Sequence, residues 1–227
     1  MNILAIDTSS SNLSFTVFSN GRVLTGFNRC YDFGASKLIS FVDKSFKRLH
    51  IGLKDIDVFA IGCGPGSFTG LRISFSIVKA FALASNKPVI SIESFYLMAY
   101  PFAKTYEKIA VIADAKRNLI YGGSFRVKNG ALHKEQKEKL IALEEFARSK
   151  KDYFFVTYDT GLHKALLDLD SKISFYQKAV HPKTNCALSV IEKMYKKRKF
   201  ANISELEPLY LHPKTCQIRA KRIEHSA

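Results

Sequence analysis

The sequence predicts an α/β protein of two similar halves, each a mixed sheet with helices on both faces. Three observations predict it. The first half reads strand, strand, strand, helix, strand, helix, strand, and the second half repeats that order faintly. Two Asn-Gly pairs, Asn20-Gly21 and Asn129-Gly130, fall at matching places in the two halves. Meandering strands followed by crossover helices give a mixed sheet covered by helices. This is the order of the ribonuclease H-like or actin-like fold.

The elements follow from the residues in turn. Leu4 to Asp7 reads as a buried strand. Leu13, Phe15 and Val17 alternate with Ser14, Thr16 and Phe18, the period of a second strand. Asn20-Gly21 supplies the two positive φ values of a tight hairpin, and Val23 to Phe27 returns. Leu38, Phe41, Val42, Ser45, Phe46 and Leu49 form one stripe on a helix over Ser36–Leu49. Val58 to Gly62 is a continuous apolar strand, as burial on both faces demands. A glycine-rich turn opens a helix over Thr69–Ser85, and Pro88 precedes a strand from Val89 to Ile92. In the second half, Ile109–Ala113 ends on Asp114 as the first strand ends on Asp7. Thirteen residues separate Asp7 from Asn20 and 15 separate Asp114 from Asn129. Strands at Ile120–Val127 and Phe154–Thr157 and helices at Leu140–Ser149, Leu162–Leu169 and Asn185–Lys199 complete the copy. The division is expected near Tyr100-Pro101, giving domains over residues 1–100 and 101–227.

Composition narrows the function. Hydrophobic residues make up 47% of 227, too many for a disordered acidic chain. The net charge of +15 favours a polyanionic partner such as nucleic acid. No apolar run approaches the ~18 residues of a membrane span, and no leader precedes the first strand, so a cytoplasmic protein is expected. Cys30, Cys63, Cys186 and Cys216 form no C-x-x-C pair, and no two of the six histidines stand three or four apart. No metal site is therefore expected.

The most informative segment is Gly62-Cys63-Gly64-Pro65-Gly66-Ser67-Phe68-Thr69-Gly70-Leu71-Arg72, between a buried strand and a helix. Such a turn can aim backbone N–H groups at an anion. It lacks the G-K-[S/T] of a P-loop and the third glycine of a dinucleotide fingerprint. Taken as a generic loop, it reads better as a tight connection capped by Ser67 or Thr69. Asp7-Thr8-Ser9 ends the first strand, where actin-like phosphotransferases hold phosphate, but serines stand where glycine would let backbone approach closely. The candidate nucleotide or anion residues are Asp7, Thr8, Ser9, Gly64, Gly66, Ser67 and Asp114. No catalytic residue is assigned.

The Thr69–Ser85 helix carries large apolar side chains all round its axis, with Lys79 its only charge between Ile73 and Ser85. An apolar surface all round implies cover on both sides. Its own sheet is one cover; the Ser36–Leu49 helix or a partner protein is the other. Leu38, Phe41, Val42 and Ser45 on one helix, with Ile73, Phe75, Ile77, Val78 and Phe81 on the other, are the candidate partner interface. Lys193, Lys196, Lys197, Arg198 and Lys199, with Lys214, Arg219, Lys221 and Arg222, gather late as a candidate phosphate-backbone contact.

The string Gly64-Pro65-Gly66-Ser67-Phe68-Thr69-Gly70-Leu71-Arg72 resembles the signature of the TsaB (YeaZ) family. Ile3-Leu4-Ala5-Ile6-Asp7-Thr8-Ser9, Asp114-Ala115-Lys116-Arg117 with Ile120-Tyr121, and Pro208-Leu209-Tyr210-Leu211 resemble further motifs of that family, in order along the chain. The resemblance implies two actin-like domains and a non-catalytic partner role in making threonylcarbamoyl-adenosine beside the tRNA anticodon. It implies pairing with a TsaD-like transferase subunit through the first two helices, and assembly with a TsaE-like ATPase. ATP or ADP would be held weakly at most, or at the subunit interface. A homodimer through the same helices, and tRNA contact through the basic surface, are further expectations. Two departures stand out: Ala35-Ser36 lacks the family's histidine, and Tyr158-Asp159-Thr160-Gly161 is glycine-poor for a nucleotide site. The rival reading is an ATP-dependent phosphotransferase of the actin-like superfamily, with Asp7 and Asp114 organising magnesium.

Overall fold

A computed structural model describes residues 1–30 and 35–212. The first half contains β1 (Asn2–Asp7), β2 (Asn12–Ser19), β3 (Arg22–Cys30), α1 (Ala35–Leu49), β4 (Val58–Gly62), α2 (Phe68–Ser85) and β5 (Val89–Ile92). A short helix, α3 (Ser94–Ala99), leads to β6 (Lys108–Asp114), β7 (Leu119–Lys128), β8 (Ala131–Ala142), α4 (Leu143–Ser149), β9 (Phe154–Val156), α5 (Gly161–Leu169) and α6 (Leu188–Lys196). The basic tail residues Lys214, Arg219, Lys221 and Arg222 lie outside the described residues.

The sheets are built alike. The first has order β3-β2-β1-β4-β5, the second β8-β7-β6-β9. In each, the first strand pairs antiparallel with the second and parallel with the strand after the helix, β1 with β2 and β4, β6 with β7 and β9. A parallel bridge from Phe155 to Phe175 stands where the first sheet has β5. Both Asn-Gly turns have positive φ at both positions, 48° and 78° at Asn20-Gly21, 51° and 71° at Asn129-Gly130. That is the backbone which closes a two-residue hairpin.

Helices cover both faces of both sheets. On the first, Leu4, Ile6, Phe15 and Val17 pack on Leu38, Val42 and Phe46 of α1 and Leu71, Phe75 and Val78 of α2. Its other face, with Ile3, Ala5, Phe18 and Val58, takes Ala187 and Ile191 at α6. The second sheet packs Ile109, Val111 and Phe125 on Phe95 and Met98 of α3, and its reverse on Phe146 of α4 and Leu166 of α5. So α3 covers the second sheet although it follows β5, and α6 covers the first although it comes near the end of the chain.

The structure corrects the bounds of two helices. The helix expected over Leu140–Ser149 begins only at Leu143, because β8 runs on to Ala142. Its stretch His133-Lys134-Glu135-Gln136-Lys137-Glu138-Lys139 is polar because β8 is an edge strand, where charge blocks further pairing. The helix expected over Asn185–Lys199 begins only at Leu188, after a 3-10 turn at Thr184–Cys186, and stops at Lys196, where Arg198 at φ 51° lets the Lys199 N–H reach the Met194 carbonyl at 2.9 Å. On length and composition alone α2 could cross a membrane, but in the folded chain Leu71, Ser74, Phe75, Ile77, Val78 and Ala82 are buried.

Candidate functional site: two loops and the open face of a helix

The β1–β2 turn and the loop from β4 to α2 meet face to face. Asp7, Thr8, Ser9, Gly64, Gly66 and Ser67 are thereby brought together. The Ser67 N–H donates to the Ser9 carbonyl at 2.6 Å. Thr8 Oγ1 lies 2.7 Å from both the Gly70 carbonyl and Ser74 Oγ. The Gly70 N–H reaches Ser67 Oγ at 3.2 Å, so Ser67 caps α2. The Gly64 N–H donates to Ser94 Oγ at 2.9 Å.

The glycines make this approach possible. A Cβ on Gly66 would lie 2.0 Å from the Ser9 carbonyl oxygen, and one on Gly70 2.1 Å from that of Thr8. At Gly62 it would lie 1.8 Å from Asp7 Oδ2. The Ser9 and Thr8 backbone fills the space at Gly66 and Gly70, and the Asp7 carboxylate fills it at Gly62.

Asp7 is fully buried, and both its oxygens are engaged. Oδ1 accepts from Ser9 N–H at 2.8 Å and Ser9 Oγ at 2.7 Å, and Oδ2 accepts from Ser94 Oγ at 2.6 Å. Burial raises its pKa, against the pull of the Ser94 and Ser9 hydrogen bonds. Asp114, by contrast, is partly exposed. It pairs with Lys116 Nζ at 2.5 Å and accepts from the Lys116 N–H at 2.7 Å. Its partial burial works upward, yet these Lys116 contacts hold its pKa below the usual range. Burial, and then the charges of Asp159, Asp7 and Asp114, push the Tyr158 phenol up. Its ring stacks on His181 at 5.7 Å, and His181 Nδ1 lies 3.0 Å from Ser10 Oγ. Among the described residues no group of three or more His, Cys, Asp and Glu is placed to hold a metal ion.

The helical residues divide differently from expectation. Leu38 and Val42 on α1, and Phe75, Ile77 and Val78 on α2, are at most 6% exposed. They pack in the core of the first half. The sheet and α1 cover Leu71, Phe75, Ile77 and Val78 of α2. Phe41, Ser45, Ile73 and Phe81 are partly exposed, with Phe41 against Phe27 at 4.8 Å and Phe81 against Phe59 at 6.1 Å. What α2 leaves open is Phe68 and Thr69 in its first turn, then a stripe of Arg72, Ser76, Ala80, Leu83 and Ala84, with Leu83 69% exposed. Arg72 lies over the Phe68 ring at 4.0 Å.

Several contributors carry no sequence signal. Ser94 joins Asp7 to Gly64 from 87 residues away from the aspartate. Lys134 bridges Glu93 and the buried Glu138, the latter at 2.8 Å.

A family model described as TsaD, tRNA N6-adenosine threonylcarbamoyltransferase, matches residues 35–205. The tRNA threonylcarbamoyladenosine biosynthesis protein TsaB of Escherichia coli K12 is 28% identical over 219 residues, covering 93% of this chain and 94% of that protein. TsaB of Bacillus subtilis is 26% identical over 231 residues, covering 99% of each. The solved structure of YeaZ from Pseudomonas aeruginosa superposes with a TM-score of 0.78 at 23% identity, covering 92% of this chain and 99% of that one.

Proposed function

Since this chain belongs to the TsaB (YeaZ) family of tRNA threonylcarbamoyladenosine biosynthesis proteins, we propose that it serves there as a non-catalytic scaffold. It pairs with a TsaD-like transferase subunit and supports transfer of the threonylcarbamoyl group to the adenosine beside the anticodon. A TsaE-like ATPase joins the pair. The observation that carries the reading is the closed contact between the β1–β2 turn and the glycine loop. The position where an actin-like enzyme cradles phosphate is filled by Ser9 and Thr8 backbone, and the Ser67, Gly70 and Gly64 amides already have acceptors in the chain. A buried aspartate with both oxygens engaged is poorly suited to organising a hydrated magnesium ion. ATP or ADP is accordingly held weakly at most by this chain, or at the subunit interface.

Pairing uses the open stripe of α2. Ser76 and Ala80 are small enough to let a second helix approach closely, and Leu83 offers apolar surface to bury. In isolation the same stripe serves a homodimer. The exposed cations Lys193, Lys196, Lys197, Arg198 and Lys199 supply phosphate contact to tRNA. For a chain with this role we infer a cytoplasmic location.

Reconstituted threonylcarbamoyl transfer tests the reading. The TsaD-like subunit should need this chain for turnover, and Asp114→Asn should leave turnover within about twofold, since a factor of two is under 0.5 kcal/mol. Loss of turnover in an intact complex carrying Asp114→Asn would make the chain a catalytic participant.

A further inference from the structure

We propose that the segment Leu209–His212 is a strap that ties the two halves together between the end of β4 and the end of β6. The main chain passes from one sheet to the other twice, through α3 after β5 and through the segment between α5 and α6. The strap makes a third, non-covalent crossing. At its near end the Leu209 N–H donates to the Cys63 carbonyl at 2.8 Å, just beyond β4. Tyr210 packs its ring on Phe68 at 5.2 Å, and its hydroxyl accepts from Arg72 Nε at 3.3 Å. At its far end His212 Nε2 lies 3.0 Å from the Ala115 carbonyl, just beyond β6, with the ring edge-on to Tyr121 at 5.7 Å.

The placement gives the strap its meaning. Cys63 and Ala115 each follow the carboxyl end of a central strand that has a parallel neighbour. The crevice outside the carboxyl ends of such strands is where α/β sheets bind ligands. Here the chain's own segment Leu209–His212 bridges it. Lys116, Arg117 and Asn118 follow Ala115 in three successive left-handed conformations, φ 66°, 57° and 62°. Single non-glycine residues adopt that conformation at a cost, and a run of three holds only where surroundings fix it. The His212 contact at Ala115 is one such restraint. The strap belongs to the lone chain and needs no partner.

Hydrogen exchange on the full chain tests it. His212→Ala should raise exchange of the Asp114–Tyr121 amides about fivefold, the factor for one net hydrogen bond. Tyr210→Ala, which touches only the first half, should raise exchange in that same turn of the second half. His212→Gln keeps an N–H donor and should restore wild-type rates, and the Leu4–Ile6 amides should be unchanged in all three. Wild-type exchange at residues 114–121 in both alanine variants, or an equal rise at Leu4–Ile6, would overturn the strap.

Discussion

Gly66→Ala isolates what the glycine loop is for. The added Cβ would meet the Ser9 carbonyl oxygen at 2.0 Å, its carbonyl carbon at 2.8 Å and its Cβ at 3.0 Å. Ordinary contact begins near 3.4 Å. Every opposing atom belongs to a buried residue of the β1–β2 turn, so the two loops must part. Overpacking of this kind costs about 1–3 kcal/mol, and stretching the Ser67–Ser9 hydrogen bond costs about 1 more. A chain of this size loses roughly 2–4 °C of Tm per kcal/mol, which gives a drop of roughly 5–15 °C. Thermal unfolding of the full chain followed by circular dichroism is the assay. Gly161→Ala is the control, because nothing lies within 4 Å of its Cβ position. A Gly66→Ala variant melting within about 1 °C of wild type, as the control should, would refute the packing argument.

Urea unfolding should separate the two kinds of helix residue. Phe75→Ala should cost about 3–5 kcal/mol, as for a buried aromatic, while Leu83→Ser should stay within about 0.5 kcal/mol. Acid should expose a second contribution. Burial works to raise the Glu135 pKa, but the Tyr153 and Arg126 hydrogen bonds and the Lys150 charge outweigh it and hold the carboxyl at about 2. A depressed folded-state pKa gives stability that is present above the ordinary value of 4.5 and lost as pH falls toward 2. Glu135→Gln should therefore be less stable than wild type at pH 6, and the difference should shrink steadily between pH 4.5 and 2.

Local chemistry made most of the fold readable before any coordinates. Asn20-Gly21 and Asn129-Gly130 fixed both hairpins, and the unbroken apolar run at Val58–Gly62 and the Val89–Ile92 segment after Pro88 fixed β4 and β5 with their observed bounds. What escaped was set by distant neighbours. In β8 a charged edge and an ion cluster with Glu93 mask the alternation. In α3 six residues are too few to show a helical period. A helical wheel counts side chains without knowing which face the sheet takes. Phe75, Ile77 and Val78 went inward, and the small residues Ser76 and Ala80 were left outside. The loop reading went further: a tight connection capped at its serine is what the chain builds. Its true opposite surface, Thr8 and Ser9, lies some 60 residues away and gives no local sign.

Titration calorimetry of the TsaD-like subunit against the double variant Ser76→Arg, Ala80→Arg tests the scaffold most directly. Both residues are exposed, so its Tm should match wild type, while two arginines in a close helix contact should weaken Kd at least about 100-fold, ~2.7 kcal/mol. A folded double variant that binds within about threefold of wild type would contradict pairing through α2.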